Sequence, residues 1–260
     1  MNKRKIVVID AGYGGKDFGA VYMGRREKDD NLRLALAVGE VLADNGIDVR
    51  YTRTEDCTLT PLERIQMAND SEGDFLLSLR RGSTEIPGTS FGVVFLLFAN
   101  KGVTAEAAKY IQEALEDTGF ESFNIEEQPS LVILRRSTIP TLLIEVGFID
   151  NERDNIIFDR DFDRIAQGIA EGILETLQEQ ERDTEEYYQI QLGAYRVRAL
   201  AESMAKNLKA QGFPAFIVFE DGLYKVRAGA FGDVDNAVAM EQALKKAGYG
   251  TFMVKKPAVY

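Results

Sequence analysis

The chain has 260 residues, enough for one large domain or two ordinary ones. It is 45% hydrophobic and 28% charged, with only 6 prolines, a folded-protein composition that excludes long disorder and collagen-like repeats. Its 31 basic and 42 acidic residues leave a net charge of −11, which speaks against nucleic acid as the main partner, and it contains no histidine at all.

The missing histidine excludes any imidazole base, His-dependent triad or His metal ligand, and the lone Cys57 excludes an internal disulfide. No apolar run approaches the roughly 18–20 residues that span a bilayer. The basic start, residues 1–5, leads into only Ile6-Val-Val-Ile9 before Asp10. That is too short for the apolar core of a signal peptide and reads as a first buried strand. The expectation is therefore no signal peptide.

Apolar runs at 5–10, 49–53, 74–80, 91–98, 131–135 and 141–146 are rich in Val, Ile, Leu and Phe and predict six strands. Helical patterns lie at 30–45, 61–70, 103–118 and 161–178. Leu32, Leu34-Ala35, Val38 and Val41-Leu42 recur every three or four residues until Gly46 stops the helix, and Thr60-Pro61 supplies a cap and a proline at the first helical position. Continuous strands alternating with helices predict an α/β unit, a mostly parallel six-stranded sheet with helices on both faces. Residues 179–186 are polar without hydrophobic periodicity and read as an acidic linker, or a fraying helix end running into one. The charge also breaks there: residues 1–186 carry 21 basic and 36 acidic groups, residues 187–256 carry 10 and 6. The predicted domains are 1–178 and 187–260.

The second domain is an internal repeat at an offset of 36. Tyr188-Gln-Ile-Gln-Leu-Gly-Ala-Tyr195 aligns with Tyr224-Lys-Val-Arg-Ala-Gly-Ala-Phe231, Met204 with Met240, Gly212 with Gly248 and Val218 with Val254. Each unit is strand, helix, strand, and Asp221-Gly222 joins them as a two-residue hairpin turn. The result is a ferredoxin-like βαββαβ with an antiparallel sheet and both helices on one face. Ile190, Leu192, Val226 and Ala228 should face the helices. Gln189, Gln191, Lys225 and Arg227 should face outward, joined by Ile217, Phe219, Met253 and Lys255 if the register holds. The recurring methionines read as core. The outward face suits a polar, partly anionic polymer, or is the solvated side of a sheet.

These motifs resemble the SPOR domain over 187–256. The resemblance implies binding of bacterial peptidoglycan, preferentially glycan strands stripped of stem peptides, with Gln189, Gln191, Phe219, Lys225 and Arg227 as the glycan-binding set.

In the first domain, the strand running through Asp10 enters the glycine-rich turn Gly12-Tyr-Gly-Gly15. Arg25-Arg-Glu27, Thr52-Arg53, Leu62-Glu-Arg64, Asp74 to Arg80 and Leu143-Ile-Glu145-Val-Gly-Phe148 follow in order. Together they resemble the zinc-dependent N-acetylmuramoyl-L-alanine amidases of the amidase-3 type over roughly 5–178. That implies hydrolysis of the amide joining muramic acid to the first alanine of the stem peptide. The family's zinc is held by a His in the first glycine loop, a Glu after it and a second His ending the third strand; a further Glu activates the water. Carried over residue by residue, the first His position is Tyr13, the Glu ligand is Glu27, the second His position is Arg80 and the water-activating Glu is Glu145. A neutral phenol is a poor zinc ligand near pH 7 and a guanidinium cannot bind metal, so zinc is expected to be absent.

Without zinc, Glu27 and Glu145 would share one cleft as like charges. The expectation is that Arg80 bridges them and that the Tyr13 hydroxyl donates to one, while Arg81 decorates the surface. Cys57 has no base and reads as inert; a glycosidase-like use of the two glutamates fits the fold poorly. The leading expectation is a peptidoglycan-binding, catalytically inactive relative of the amidases, acting in sporulation or cell-wall remodelling; with no signal peptide, the resemblance implies a cytoplasmic or mother-cell compartment with access to the cell wall on lysis. The alternatives are an active amidase with an altered site, Glu27, Glu145 and Asp10 holding a hard cation, and a protein-interaction factor acting through the SPOR-like sheet.

Overall fold

Strands and helices alternate through the first unit. A computed structural model describes residues 4–184, 186–232 and 234–257; residues 1–3 of the basic start, Glu185 of the expected linker and residues 258–260 lie outside the described residues. The chain divides into two units, Met1–Gln178 and Glu179–Tyr260.

In chain order the first unit is β1 (Ile6–Ala11), the short pair β2 (Val21–Tyr22) and β3 (Arg25–Arg26), α1 (Glu27–Asp44), β4 (Asp48–Tyr51), α2 (Pro61–Asn69), β5 (Phe75–Gly82), β6 (Val93–Leu97), α3 (Val103–Leu115), β7 (Phe123–Glu127), α4 (Val132–Arg136), β8 (Thr141–Phe148), α5 (Glu152–Arg160) and α6 (Phe162–Thr184). The six-stranded sheet runs β4-β1-β5-β8-β6-β7, parallel except where β6 meets β8. Local signals act as expected: Thr60 and Glu63 form a reciprocal capping box at α2, with Pro61 just inside, and Gly46 leaves α1 at φ +85°.

Two expectations are corrected. The run 131–135 is the helix α4, and the sixth strand is Phe123–Glu127, which the apolar count passed over. A short apolar run does not distinguish a strand from one buried turn of helix, and an edge strand with Glu126 and Glu127 exposed carries little hydrophobic signal. The helix α6 also continues to Thr184, across most of the stretch read as linker.

Side chains alternate across the sheet. One face, with Val7, Ile9, Leu77, Leu79, Phe95 and Ile144, packs on Leu34, Val38, Ile111 and Ile173 of the helices in the larger core. The other face, with Val8, Leu76, Val94, Leu96 and Leu143, packs on Ile65 and Ala68 of α2 and Ile133 and Leu134 of α4. On this face apolar side chains give way to charged ones towards the carboxyl ends of β1, β5 and β8, although Phe148 at the last position of β8 rejoins the cluster. There the residues on the same face are Asp10, Arg80 and Glu145, and a cleft opens at the strand ends, the usual ligand position in an open α/β sheet.

The second unit is β9 (Glu186–Tyr195), α7 (Arg198–Ala210), β10 (Ala215–Glu220), β11 (Leu223–Phe231), α8 (Val234–Lys246) and β12 (Phe252–Pro257), with antiparallel order β10-β11-β9-β12. Asp221 and Gly222 both take positive φ, +53° and +75°, as a type I′ hairpin turn requires. Ile190, Val226 and Ala228 are buried against Ala201, Ala205 and Leu208 of α7 and Ala237 and Leu244 of α8.

In the first unit α6 approaches α3 closely enough that a Cβ at Gly172 would overlap Ile111, its backbone nitrogen included. Gly172→Val should cost roughly 1–3 kcal/mol of stability, read as a lower midpoint in urea unfolding.

Candidate functional site

The cleft is built around one carboxylate. Asp10, at the end of β1, is fully buried and accepts from Thr52 Oγ1 (2.8 Å), Ser78 Oγ (2.8 Å), Arg64 Nη1 (2.9 Å) and Arg80 Nη2 (3.0 Å). Burial alone pushes its carboxyl up; Arg80 and Arg64, with the Arg64 and Ser78 hydrogen bonds, more than offset this and hold it down to about 2. Two guanidiniums, those of Arg64 and Arg53, fix the glycine loop. Arg64 donates to the carbonyls of Ala11 (2.6 Å) and Tyr13, and Arg53 to those of Ala11 (2.9 Å), Gly12 (2.9 Å) and Lys28 (2.8 Å).

Arg80 therefore does not bridge Glu27 and Glu145 through hydrogen bonds, as the sequence suggested; its partner is Asp10, and its Nη1 donates to the Leu79 carbonyl (3.1 Å). Asp10 pairs with Ser78 and Ser78 shares a face with Arg80, so the register of β1 on β5 places the two charges together. The side chain lies over Gly12, where a Cβ would overlap the guanidinium, and 5.4 Å from the centre of the Tyr13 ring. The Tyr13 hydroxyl is likewise not held by either glutamate. Burial, then Glu27, pushes its ionisation above the ordinary tyrosine value, so it is a neutral phenol at pH 7.

Glu27 opens α1 and is 2% exposed. Its oxygens accept from the backbone N–H groups of Ala20 (3.0 Å) and Arg81 (3.1 Å) and from the Asn31 amide (3.2 Å). Burial raises its pKa, opposed by those hydrogen bonds and by Arg80. Glu145 lies beside Arg80 across the β5–β8 pairing. Burial, then repulsion from Glu27 and Glu126, lifts it from 4.5 to about 7, with Arg80 opposing. The cleft has a volume of about 370 Å³ and adds the apolar side chains of Leu96, Leu131, Ile133 and Leu143 to these polar groups. Sequence reasoning brought Tyr13, Glu27, Arg80 and Glu145 to one place, and all four line it.

Arg81 is a second correction. It is 2% exposed, on the opposite face of β5 from Arg80. It donates to Asp30 (2.6 Å), Asn155 (2.8 Å) and the Gly147 carbonyl (3.2 Å), with its guanidinium 4.1 Å from the Phe158 ring centre. Strand alternation was the available signal: whatever side Arg80 takes, Arg81 takes the other, and that side is core. The roles of Asp10, Arg53 and Arg64 were also missed, because a charged residue ending an apolar run does not name its partners.

Residues 7–175 match the amidase-3 family, described as N-acetylmuramoyl-L-alanine amidase, and residues 184–255 match the SPOR domain. The chain belongs to the amidase-3 family. A sporulation-specific N-acetylmuramoyl-L-alanine amidase of Bacillus subtilis (strain 168) is 32% identical over 219 residues, 83% of this chain and 85% of the relative. The N-acetylmuramoyl-L-alanine amidase CwlM of Bacillus licheniformis is 30% identical over 220 residues, with the same coverage. Among solved structures, the catalytic domain of CwlV, an N-acetylmuramoyl-L-alanine amidase from Paenibacillus polymyxa, superposes with a TM-score of 0.61 at 35% identity, covering 67% of this chain and 98% of that one.

The residues of this amidase-3 cleft do not fit the zinc on which the family resemblance depends. At the two imidazole positions stand a neutral phenol and a guanidinium already paired with Asp10, and the Glu27 oxygens are taken by three N–H donors. Asp10, saturated by four donors, is no better placed to help hold a hard cation. Among the described residues no group of three His, Cys, Asp or Glu side chains is arranged to hold a metal ion.

On the SPOR unit, Gln189, Gln191, Lys225 and Arg227 share the sheet face away from α7 and α8, as expected. Phe219 does not. The I′ turn pairs Glu220 with Leu223 and Phe219 with Tyr224, so Phe219, like Ile217, takes the helix-side orientation, its ring 4.7 Å from that of Tyr224. Met253 and Lys255, opposite Ile190 and Tyr188, are turned the same way. The open face instead carries Phe216, Val218 and Glu220 of β10 and Phe252, Val254 and Lys256 of β12, with Phe252 68% exposed. Among the described residues no helix is long and apolar enough to cross a membrane.

Two outcomes follow for stability. Arg80→Met leaves Asp10 with one cation and should cost about 2–4 kcal/mol. The stabilisation from Asp10 is full above about pH 4 and is lost as pH falls towards 2 in the native chain, so acid unfolding of the variant should begin at higher pH. Glu145 has the opposite sign: its raised pKa makes the fold lose stability as pH rises from about 4.5 to 7. Glu145→Gln should abolish that slope and stabilise the protein at pH 8 by on the order of 2 kcal/mol, measured by denaturant unfolding at a series of pH values.

Proposed function

We propose that this chain is a peptidoglycan-binding member of the amidase-3 family that does not hydrolyse the muramyl–alanine amide and acts as a structural, competing or regulatory factor in sporulation or cell-wall remodelling. The observation that carries the reading is Arg80 locked on Asp10 at a position the family resemblance gives to a zinc-binding imidazole. A fixed guanidinium repels a divalent ion and supplies no lone pair, so neither water activation nor carbonyl polarisation by a metal is available there. The cleft retains the size and apolar lining to hold a peptide stem without cutting it. The SPOR unit supplies wall attachment through its open face, with Gln189, Gln191, Lys225 and Arg227 contributing. Access to the wall follows lysis of the compartment that makes the protein.

A second reading rests on Glu145, whose pKa of about 7 is that of a general acid or base poised for work at neutral pH. It needs an amidase activity whose pH profile turns near 7 and that Glu145→Gln abolishes.

The deciding experiment incubates purified sacculi with the full chain, with and without added zinc, and measures newly freed alanine amino groups alongside bound metal. The wild type should release none and hold no stoichiometric zinc. Tyr13→His with Arg80→His should bind about one zinc per molecule. Metal-dependent release by the wild type sinks the proposal.

A further inference from the structure

The cleft of the first unit holds more negative charge than its own cations neutralise. Asp17, Glu27 and Glu145 line it, and Asp10 lies beneath Arg64 and Arg80. Four carboxylates against two guanidiniums leave an excess of two negative charges when all are ionised. Arg81 does not correct this, because its guanidinium is paired with Asp30 on the other face of β5. The excess is least compensated at Glu145. Asp10 has four donors, Glu27 has three, and Asp17 accepts from the Gly19 N–H at 3.2 Å, but Glu145 accepts no hydrogen bond among the described residues. Two donors beside it are also unused there: neither the Tyr13 hydroxyl nor Arg80 Nε makes a hydrogen bond among the described residues. Tyr13 is held at φ +58°, the left-handed region that a bulky residue enters only when its surroundings impose it. A part-buried carboxylate without a partner weakens the fold, and such a cost is met where a ligand completes the site.

The chemistry of the ligand follows by elimination. An anion adds to the excess charge. A divalent metal ion meets the Arg80 guanidinium and finds the Glu27 oxygens occupied. A neutral group leaves Glu145 charged and unpaired. A monocation with N–H donors fits, because an ammonium gives Glu145 a charge-assisted hydrogen bond. A carbonyl next to that ammonium can accept from the Tyr13 hydroxyl and Arg80 Nε, while an aliphatic remainder lies on Leu96, Leu131, Ile133 and Leu143. The volume of about 370 Å³ admits a short peptide end. We propose that the cleft is a receptor for the free amino terminus of a short peptide, with the ammonium on Glu145 and the first carbonyl on Tyr13 and Arg80. This deepens, and rests on, the reading of the cleft as one that holds a stem peptide without cutting it. In an intact muramyl–alanine link the same nitrogen is a neutral amide. When water splits that C–N bond, the acyl carbon keeps the oxygen as a carboxylate on the glycan, and the nitrogen leaves with the peptide and takes up a proton. The receptor therefore separates released peptide from attached peptide, and stands downstream of an enzyme that hydrolyses the amide.

The test is isothermal titration calorimetry of the full chain at about pH 7.5, where most of a peptide amino group is protonated. The probes are alanyl-alanine amide, its N-acetyl form, its N-acetylmuramoyl form and Nα-acetyl-lysine amide, whose ammonium has no carbonyl beside it. The free-amine dipeptide should bind at least roughly tenfold more tightly than the acetylated and muramyl-capped forms, and more tightly than the lysine probe. Glu145→Gln keeps the shape and removes the charge; it should abolish the preference in a chain whose unfolding midpoint is no lower than that of the wild type. Tyr13→Phe should weaken the free-amine dipeptide roughly threefold to tenfold. Equal affinity for free and capped forms, no binding of the free-amine dipeptide, a preference that survives Glu145→Gln, or tighter binding of the lysine probe overturns the receptor and leaves the non-hydrolysing role standing. Release of alanyl-alanine amide from the muramyl-capped probe removes that role instead, whatever the affinities.

Discussion

The first unit depends on how a fully buried carboxylate at the end of a central strand is compensated. Asp10 is out of water, so its ionised form requires cations and hydroxyls in fixed places, and Arg64, Arg80, Thr52 and Ser78 supply them. Because Arg64 and Arg53 also hold the carbonyls of the glycine loop, the position of Tyr13 and the seat of Arg80 over Gly12 belong to the same network. The neighbouring carboxylates then divide. Glu27 is fixed by N–H donors, while Glu145 makes no hydrogen bond among the described residues and is driven towards its neutral form. A site whose family resemblance calls for a metal and two imidazoles is thereby filled with the protein's own cation.

The two units use guanidinium–carboxylate pairing with different consequences. In the cleft the carboxylate is buried and shared by two arginines, which makes the arrangement permanent. On the SPOR sheet the arginine is buried and the carboxylate is partly exposed.

Functionally the pairing of these units has a simple logic. The first unit carries an amidase-3 cleft lined by Tyr13, Glu27, Arg80 and Glu145, and the second carries the fold of the peptidoglycan-binding SPOR domain. Its relatives include a sporulation-specific N-acetylmuramoyl-L-alanine amidase of Bacillus subtilis. Its cleft keeps the family fold and differs at the two positions that the resemblance gives to imidazoles.

Much of this was legible in the residues alone. Five of the six sheet strands, the capping box at Thr60, the I′ turn at Asp221-Gly222 and the 36-residue repeat follow from periodicity and local backbone preference, which act over a few residues. The absence of histidine, with Tyr13 and Arg80 at the critical positions, needs no coordinates either. Tertiary structure decided whatever depends on partners far apart in the chain. Asp10 and Arg80 meet across 70 positions through β1–β5 register, Arg81 turns inward because Arg80 turns to the cleft, and residues 131–135 coil because they cap a cluster beside α2. Phe219 changes face because the hairpin register, a property of two strands together, fixes which side each residue takes. Local energetics set the elements; long-range pairing, in which one residue's shift reverses every side chain, set the chemistry.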